Sequence, residues 1–192
     1  MSKLYFSYSA MNAGKSTILL QASYNYGEQG MKTLLFTSKI DDRYKVGTIT
    51  SRIGLSEKAF TFGVDDNLFS TIFIQTTKFK VSCILIDESH FLTSKQVWQL
   101  SEVVDKLNIP VMCYGLRTDF QGNLFPGSET LLAISDVLRE IRTICHCGRK
   151  AIMVVRQDSK GNVIKEGQQI EIGGNDKYVS LCRLHWKSEM KY

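Results

Sequence analysis

Leu4-Tyr-Phe-Ser-Tyr-Ser-Ala-Met-Asn-Ala-Gly-Lys-Ser-Thr17 is the stretch that decides the fold class. Leu4 to Tyr8 is a short apolar run, the residues up to Gly14 form a small-residue loop, and Ser16 to Tyr26 has helical composition. A strand feeding such a loop and then a helix turns backbone amides and the positive end of a helix dipole toward one point, which suits phosphate. Ser9 to Ser16 follows the Walker A pattern, with Gly14, Lys15 and Ser16 in place and Ser9 where the first glycine stands. Gly14 lets the backbone close on phosphate without a side chain in the way. Lys15 is placed to neutralise the β- and γ-phosphates, and the Ser16 hydroxyl to ligate Mg²⁺. The loop predicted to cradle ATP is Ser9, Ala10, Met11, Asn12, Ala13, Gly14, Lys15, Ser16 and Thr17. The plainer alternative is a small-residue turn before a helix.

Further along, Lys32 to Phe36 reads as a second strand and Phe69 to Phe79 as an amphipathic helix. Val81 to Ile86 (VSCILI) is almost wholly apolar, as a strand buried on both faces of a parallel sheet requires. Thr93 or Ser94 can cap a helix carrying Val97, Leu100, Val103, Val104 and Leu107 at helical spacing. Val111 to Tyr114 starts another strand, and Leu131 to Ile141 reads as one more helix. Strands alternating with helices imply an α/β fold on a largely parallel sheet, with helices on both faces. After about residue 142 the pattern changes to short strands and tight turns: Cys145-His-Cys-Gly, Met153-Val-Val-Arg, Asp158-Ser-Lys-Gly and Gln169-Ile-Glu-Ile-Gly-Gly. This predicts a P-loop domain over 1–141 and a small β-rich domain over 142–192.

Asp87 ends the VSCILI run, where a Walker-type site needs an acid for the Mg²⁺ shell. Glu88 follows directly and can serve as base toward an attacking hydroxyl or water. The bland reading is two acids facing solvent or capping a helix. These motifs fit a hydrolase as well as a kinase.

Cys145-His-Cys147 and Cys182-Arg-Leu-His185 give four soft or borderline ligands, which suits a closed tetrahedral Zn²⁺ of structural type. The set is Cys145, Cys147, Cys182 and His185, with His146 turned away. Free buried cysteines and a surface histidine are the alternative; Cys83 and Cys113, in apolar strands, read as core. The intervening segment is long for a loop, so a clamp at its base would define it as a lobe.

Composition excludes several classes. The chain has 192 residues, 43% of them hydrophobic, enough for a sizeable core. No apolar stretch reaches membrane-spanning length and Met1-Ser-Lys-Leu-Tyr lacks signal-peptide form, so a cytoplasmic protein with no membrane partner is expected. The net charge of +5 suits polyphosphate ligands as well as nucleic acid. A nucleic-acid binder switched by ATP is permitted by the charge and the cysteine pairs, but no stripe of arginines and aromatics supports it.

In this order the motifs resemble the type II thymidine kinases, in their bacterial branch, over nearly the whole chain. The likeness is carried by SAMNAGKST at 9–17, IDDRY at 40–44, SRIGL at 51–55, IDESHFL at 86–92, CYGLRTDF at 113–120, CHCGRKA at 145–151 and IGGNDKYVSLC at 172–182. The resemblance implies a RecA-like P-loop domain followed by a zinc-bearing lasso domain that closes over the nucleoside. It implies ATP-dependent phosphorylation of the 5′-hydroxyl of thymidine, also deoxyuridine, in nucleotide salvage. Glu88 then matches the general base, and Asp87 with Ser16 the magnesium shell. Phe91 and Phe120 match residues flanking the thymine ring, Leu116 lies against the same pocket, and Met11 lies near the 5-methyl group. Ile170, Ile172, Gly173 and Tyr178 match the loop wrapping the nucleoside. Asp41, Arg43 and Arg52 match positions near the segment over the phosphates. The likeness also implies a homotetramer, feedback by thymidine triphosphate (dTTP) and no nucleic-acid partner. Two departures stand out: Ser9 in the P-loop, and Ser89-His90, where the family pattern suggests Cys-Gln or Gly-Gln. A kinase acting on deoxyuridine, or on a nucleoside monophosphate, is a third possibility.

Overall fold

The computed structural model describes residues 1–41, 45–171 and 177–192. Its first part runs β1 (Leu4–Ser9), α1 (Lys15–Glu28), β2 (Thr33–Ser38), β3 (Thr48–Thr50), β4 (Ser56–Lys58), β5 (Phe60–Phe62) and α2 (Leu68–Thr76). Then come β6 (Cys83–Ile86), α3 (Ser94–Leu107), β7 (Val111–Leu116), α4 (Pro126–Ile134) and β8 (Val137–Glu140). The rest is β9 (Thr143–Ile144), β10 (Lys150–Ala151), β11 (Met153–Gln157), β12 (Val163–Ile164), β13 (Tyr178–Leu181) and α5 (Arg183–Met190).

Six strands form one parallel sheet in the order β5-β2-β6-β7-β1-β8. The side-chain period of two sorts each strand between two cores. Leu34, Phe36, Ile84 and Ile86 face α2, α3 and α4, where Ile72, Val97, Leu100 and Leu131 are buried. Leu35, Cys83, Leu85 and Tyr114 face the other way, onto Leu19 and Leu20 of α1. The apolar run that reads as a doubly buried strand is one: Cys83 to Ile86 are all buried. Helix α3 starts with a full capping box, Thr93 accepting from the Gln96 N–H and Gln96 accepting from the Thr93 N–H.

The helix expected over Leu131 to Ile141 is not what forms. Pro126 starts α4 five residues earlier, and the helix stops at Ile134, before Ser135 in extended conformation. The chain then returns to the sheet. Asp136 Oδ2 accepts from the Leu4 N–H at 2.7 Å, and Val137–Glu140 pairs in parallel with β1. A sheet edge offering unpaired backbone groups outweighs the helical propensity of that stretch. The strand expected from Gln169 onward is also absent from its described part: residues 169–171 form a loop.

Beyond β8 the strands no longer join the main sheet. β9 and β10 form a hairpin, and β12-β11-β13 a small antiparallel sheet packed on α5 around Met153, Val155, Leu181 and Trp186. No helix among the described residues is long and apolar enough to cross a membrane.

Candidate active site

In an open parallel sheet the carboxyl ends of the strands are where ligands bind. β1 and β6 end there with β7 between them, which brings the phosphate loop beside Asp87. Asn12 (φ 64°) and Gly14 (φ 79°) both take the left-handed conformation, and Gly14 caps α1. An added Cβ at Gly14 would meet nothing, so the glycine is required by conformation rather than by space. Lys15 is buried, its Nζ donating to Ser9 Oγ at 3.2 Å and to the Ala10 carbonyl at 3.4 Å. The residue replacing the first glycine is therefore an acceptor that holds the lysine.

Ser16 Oγ donates to Asp87 Oδ2 at 2.7 Å, joining the two residues predicted to share a magnesium ion. The Asp87 N–H is held by the Phe36 carbonyl, so the sheet fixes this carboxylate. Glu88 lies at φ 50°, ψ 37°, left-handed for a residue with a side chain, at a cost of about 1–2 kcal/mol. The turn is braced by the Glu88 N–H donating to Asp87 Oδ1 at 3.0 Å. Burial first, and the Glu88 carboxylate second, push Asp87 up to about 7, against the hydrogen bonds from Ser16 and the Glu88 N–H and the charge of Lys15. Two buried carboxylates beside a phosphate loop make a site that favours a cation, and the donor set of carboxylate and hydroxyl oxygens suits Mg²⁺.

After Glu88 comes a 3₁₀ turn, Ser89–Phe91, seated against β7 and α4. Gly115 and Gly127 make the seat: a Cβ on Gly115 would run into Ser89 Oγ and the His90 backbone, and one on Gly127 into the Ser89 and Leu92 carbonyls. His90 lies between the rings of Phe91 and Phe125, with centroids 4.0 and 4.7 Å away. Its Nδ1 is 3.5 Å from Glu88 Oε2 and also accepts from the Leu116 N–H at 3.3 Å. The second contact assigns the ring proton to Nε2, so the approach to Glu88 is not an ion pair in that tautomer.

Lys15, Ser16, Asp87, Glu88, His90, Phe91 and Phe125 line one cavity of about 610 Å³, the size of a small-molecule pocket. Of the predicted residues, Met11 to Thr17, Asp41, Asp87, Glu88, Phe91, Leu116, Phe120, Ile170 and Tyr178 all border it, and so does Arg52. Ser9 and Ala10 sit behind it, buried. Arg43, Ile172 and Gly173 lie outside the described residues.

Cys145, Cys147, Cys182 and His185 converge, their ligand atoms all within 4.8 Å of one another. His185 Nδ1 is 3.4 Å from the sulfurs of both Cys145 and Cys182, and the Cys147 and Cys182 sulfurs are 3.9 Å apart. A tetrahedral zinc with ordinary bond lengths has S···N edges of roughly 3.6 Å and S···S edges of roughly 3.8 Å. The four residues fit that ion. Although burial opposes ionisation of Cys145, the backbone amides of Cys147 and Cys182 and the His185 side chain together draw it down to about 6, toward the thiolate a metal needs.

The thymidine kinase family model matches residues 2–186. Thymidine kinase of Agrobacterium fabrum is 63% identical over 186 residues, covering 97% of this chain and 96% of its own. Thymidine kinase of Haemophilus influenzae is 61% identical over 189 residues, 98% of each. The chain belongs to the thymidine kinase family. Within that family's architecture, the C-terminal module here grips the phosphate loop directly. Ser180 Oγ donates to the Met11 carbonyl at 2.7 Å and Thr143 Oγ1 to the Asn12 carbonyl at 3.3 Å, while Ala10 packs on Val154 and Tyr178. Trp186, next to His185 of that cluster, donates through Nε1 to the carbonyls of Phe120 (3.0 Å) and Val154 (3.1 Å).

Sequence reasoning missed several residues of this thymidine kinase family site. Val154, Asp119, Phe125 and Gln169 border the cavity, as do Ile49 to Ser51 at the end of β3. Val154 reads as ordinary core in a strand, and no local pattern distinguishes it. Asp119 carries a legible signal, an Asp in a short loop with Gly122-Asn123 after it. Its Oδ1 accepts from the Gln121 and Asn123 N–H groups, and this turn presents Phe120.

Proposed function

We propose that this chain transfers the γ-phosphate of ATP to the 5′-hydroxyl of thymidine, and of deoxyuridine, forming the 5′-monophosphate and ADP for nucleotide salvage. The observation that carries the reading is that one cavity joins a phosphate loop, a carboxylate beside it, and an aromatic chamber formed by Phe91, Phe120 and Tyr178. Glu88 stands between the two halves along the chain, directly after the metal-binding position and three residues before Phe91.

In this reading Lys15 and the amides of residues 13–17 hold the β- and γ-phosphates. Ser16 and Asp87 would hold Mg²⁺, which when bound neutralises charge on the phosphate oxygens. The Glu88 carboxylate takes the proton of the 5′-hydroxyl as its oxygen bonds to the γ-phosphorus, and the bond from that phosphorus to the bridging β-oxygen breaks. Phe91 and Phe120 flank the base, Leu116 and Met11 close the pocket around it, and Ile170 with Tyr178 borders the sugar. Asp41 borders the phosphate side. Residues 1–141 are the ATP-binding unit and 142–192 the unit that closes over the nucleoside, with zinc as its structural clamp.

Further implications of the family likeness go with this reading: a homotetramer, inhibition by dTTP and a cytoplasmic location. Sedimentation and a dTTP titration test the first two. The substrate is tested by incubating the protein with ATP, Mg²⁺ and, separately, thymidine, deoxyuridine, deoxycytidine and thymidine monophosphate. Monophosphate should form from the first two only, because a pocket that pairs the thymine edge leaves the cytosine edge unsatisfied. Turnover of the monophosphate with none of thymidine would overturn the reading.

A further inference from the structure

Arg156, on β11, borders no part of the cavity, yet it is 3% exposed and carries a charge. Its guanidinium lies 4.0 Å from the centroid of the Phe120 ring, on a cation–π contact. Nη1 donates to the Gln168 carbonyl at 2.9 Å and is 3.3 Å from Glu171 Oε2. Tyr178 is a fourth neighbour: burial lifts its phenol above the ordinary range, and Arg156 beside it pulls the other way. Tyr178 in turn donates to the Glu171 carbonyl at 2.7 Å.

The backbone makes room for this side chain. Gly167 has φ 142°, and a Cβ there would collide with Arg156 Nη2. Nε is buried and has no hydrogen-bond partner among the described residues. An apolar side chain would fill such a place at less cost in desolvation, so stability is a poor account of the guanidinium. A planar fork with a π-face is what this position uses: one face for Phe120, the edge for a carbonyl and a carboxylate.

Resting on the nucleoside reading of the cavity, we propose that Arg156 is a positioning residue for the nucleoside. It fixes Phe120, which lines the base pocket, and fastens the strap 167–171 that carries Ile170 to the same wall. A further bond ties the strap to the Phe120 turn, Gln169 Nε2 to Asp119 Oδ2 at 2.9 Å, and Gln121 Nε2 of the same turn donates to the Lys165 carbonyl just before the strap at 3.3 Å. Arg156 is the member of this set that touches the ring itself. Preorganising ring and strap lowers the ordering cost of nucleoside binding and leaves the phosphate end untouched.

The test is steady-state kinetics of wild type, Arg156→Met and Arg156→Lys, varying thymidine and ATP separately. Arg156→Met should raise the thymidine KM about tenfold or more, with kcat and the ATP KM within about threefold of wild type. Arg156→Lys keeps the charge but not the fork, and should recover only a minor part of that loss. If the thymidine KM is unmoved, or if kcat and both KM values change together with the melting temperature, the residue is merely structural and the proposal fails. Should Arg156→Met not fold, Gly167→Ala decides, since it displaces the guanidinium while keeping it: a raised thymidine KM supports the proposal and an unchanged one overturns it. Wild type lacking thymidine phosphorylation would sink the functional reading itself, a result distinct from an active wild type with indifferent variants.

Discussion

At the phosphate end of the cavity the groups come from residues 9–17 and the end of one buried strand. At the end we assign to the nucleoside they come from Phe91, β7, the turn after it, β11, the strap 167–171 and β13, spread over more than eighty residues. The first is held mainly by backbone: strand pairing fixes Asp87 through the Phe36 carbonyl and helix α1 fixes Lys15 and Ser16, with Ser180 and Thr143 adding side-chain ties to the loop carbonyls. The second is held by side chains bridging segments, through Arg156, Asp119, Gln169 and Trp186. A backbone-held site stays in place whether or not its ligand is bound, whereas a side-chain-held one depends on every tie. Damage at the two ends should therefore show in different kinetic constants.

The largest expected effect lies at the phosphate end. Lys15→Met removes the buried cation aimed at the phosphates and should lower kcat by roughly 10²–10³-fold. Thymidine binding measured by calorimetry without ATP should stay within about twofold. A comparable loss of thymidine affinity would show that the two ends are not separately built.

Next comes the metal. In the proposed zinc clamp Cys147 is the exposed member, and Cys147→Ser or chelation should release zinc, checked by metal analysis. The path from the proposed zinc clamp is short: Trp186 follows His185 of the cluster, and the Trp186 indole holds the Phe120 carbonyl. The thymidine KM should rise about tenfold, with the ATP KM changing less. Because Ser180 and Thr143 hold the Met11 and Asn12 carbonyls, a small rise in the ATP KM is expected as well.

The contrast also bounds what the sequence reveals. The phosphate loop, the place of Asp87 beside it and the convergence of the three cysteines with His185 were legible because each rests on a local pattern of residue types and spacing. The parallel sheet was legible from the alternation of strands with helices and from the wholly apolar Cys83–Ile86. β8 was misread as helix because its reason for being a strand is the open edge of β1, which lies more than 130 residues away in the chain. Arg156 was invisible for a similar reason. Nothing in Met-Val-Val-Arg says that a buried guanidinium will meet Phe120, and only tertiary packing puts them together. Phe91 and Phe120 were assigned by resemblance, since an aromatic in a strand or turn is ordinarily core.

The smallest effect concerns Asp87 in protein without added magnesium. Its carboxyl sits at about 7 in the folded chain against 3.8 as the ordinary value. The folded state therefore keeps a proton that the unfolded state loses between those values, so this group's stabilising contribution is full below about 4 and is lost as pH rises through 7. Asp87→Asn should flatten the fall in melting temperature between pH 5 and pH 8 by a few degrees, at ~2–4 °C per kcal/mol for a chain of this size. An unchanged slope would place the proton elsewhere.

In the proposed mechanism Glu88 joins the two ends as the base that activates the nucleoside hydroxyl. Its most direct test is ATP-dependent conversion of labelled thymidine to the monophosphate by Glu88→Gln beside wild type, with ATP binding measured on both. The variant should show a kcat lower by about 10²–10⁴-fold with ATP affinity unchanged. Near-normal turnover in the variant would contradict it.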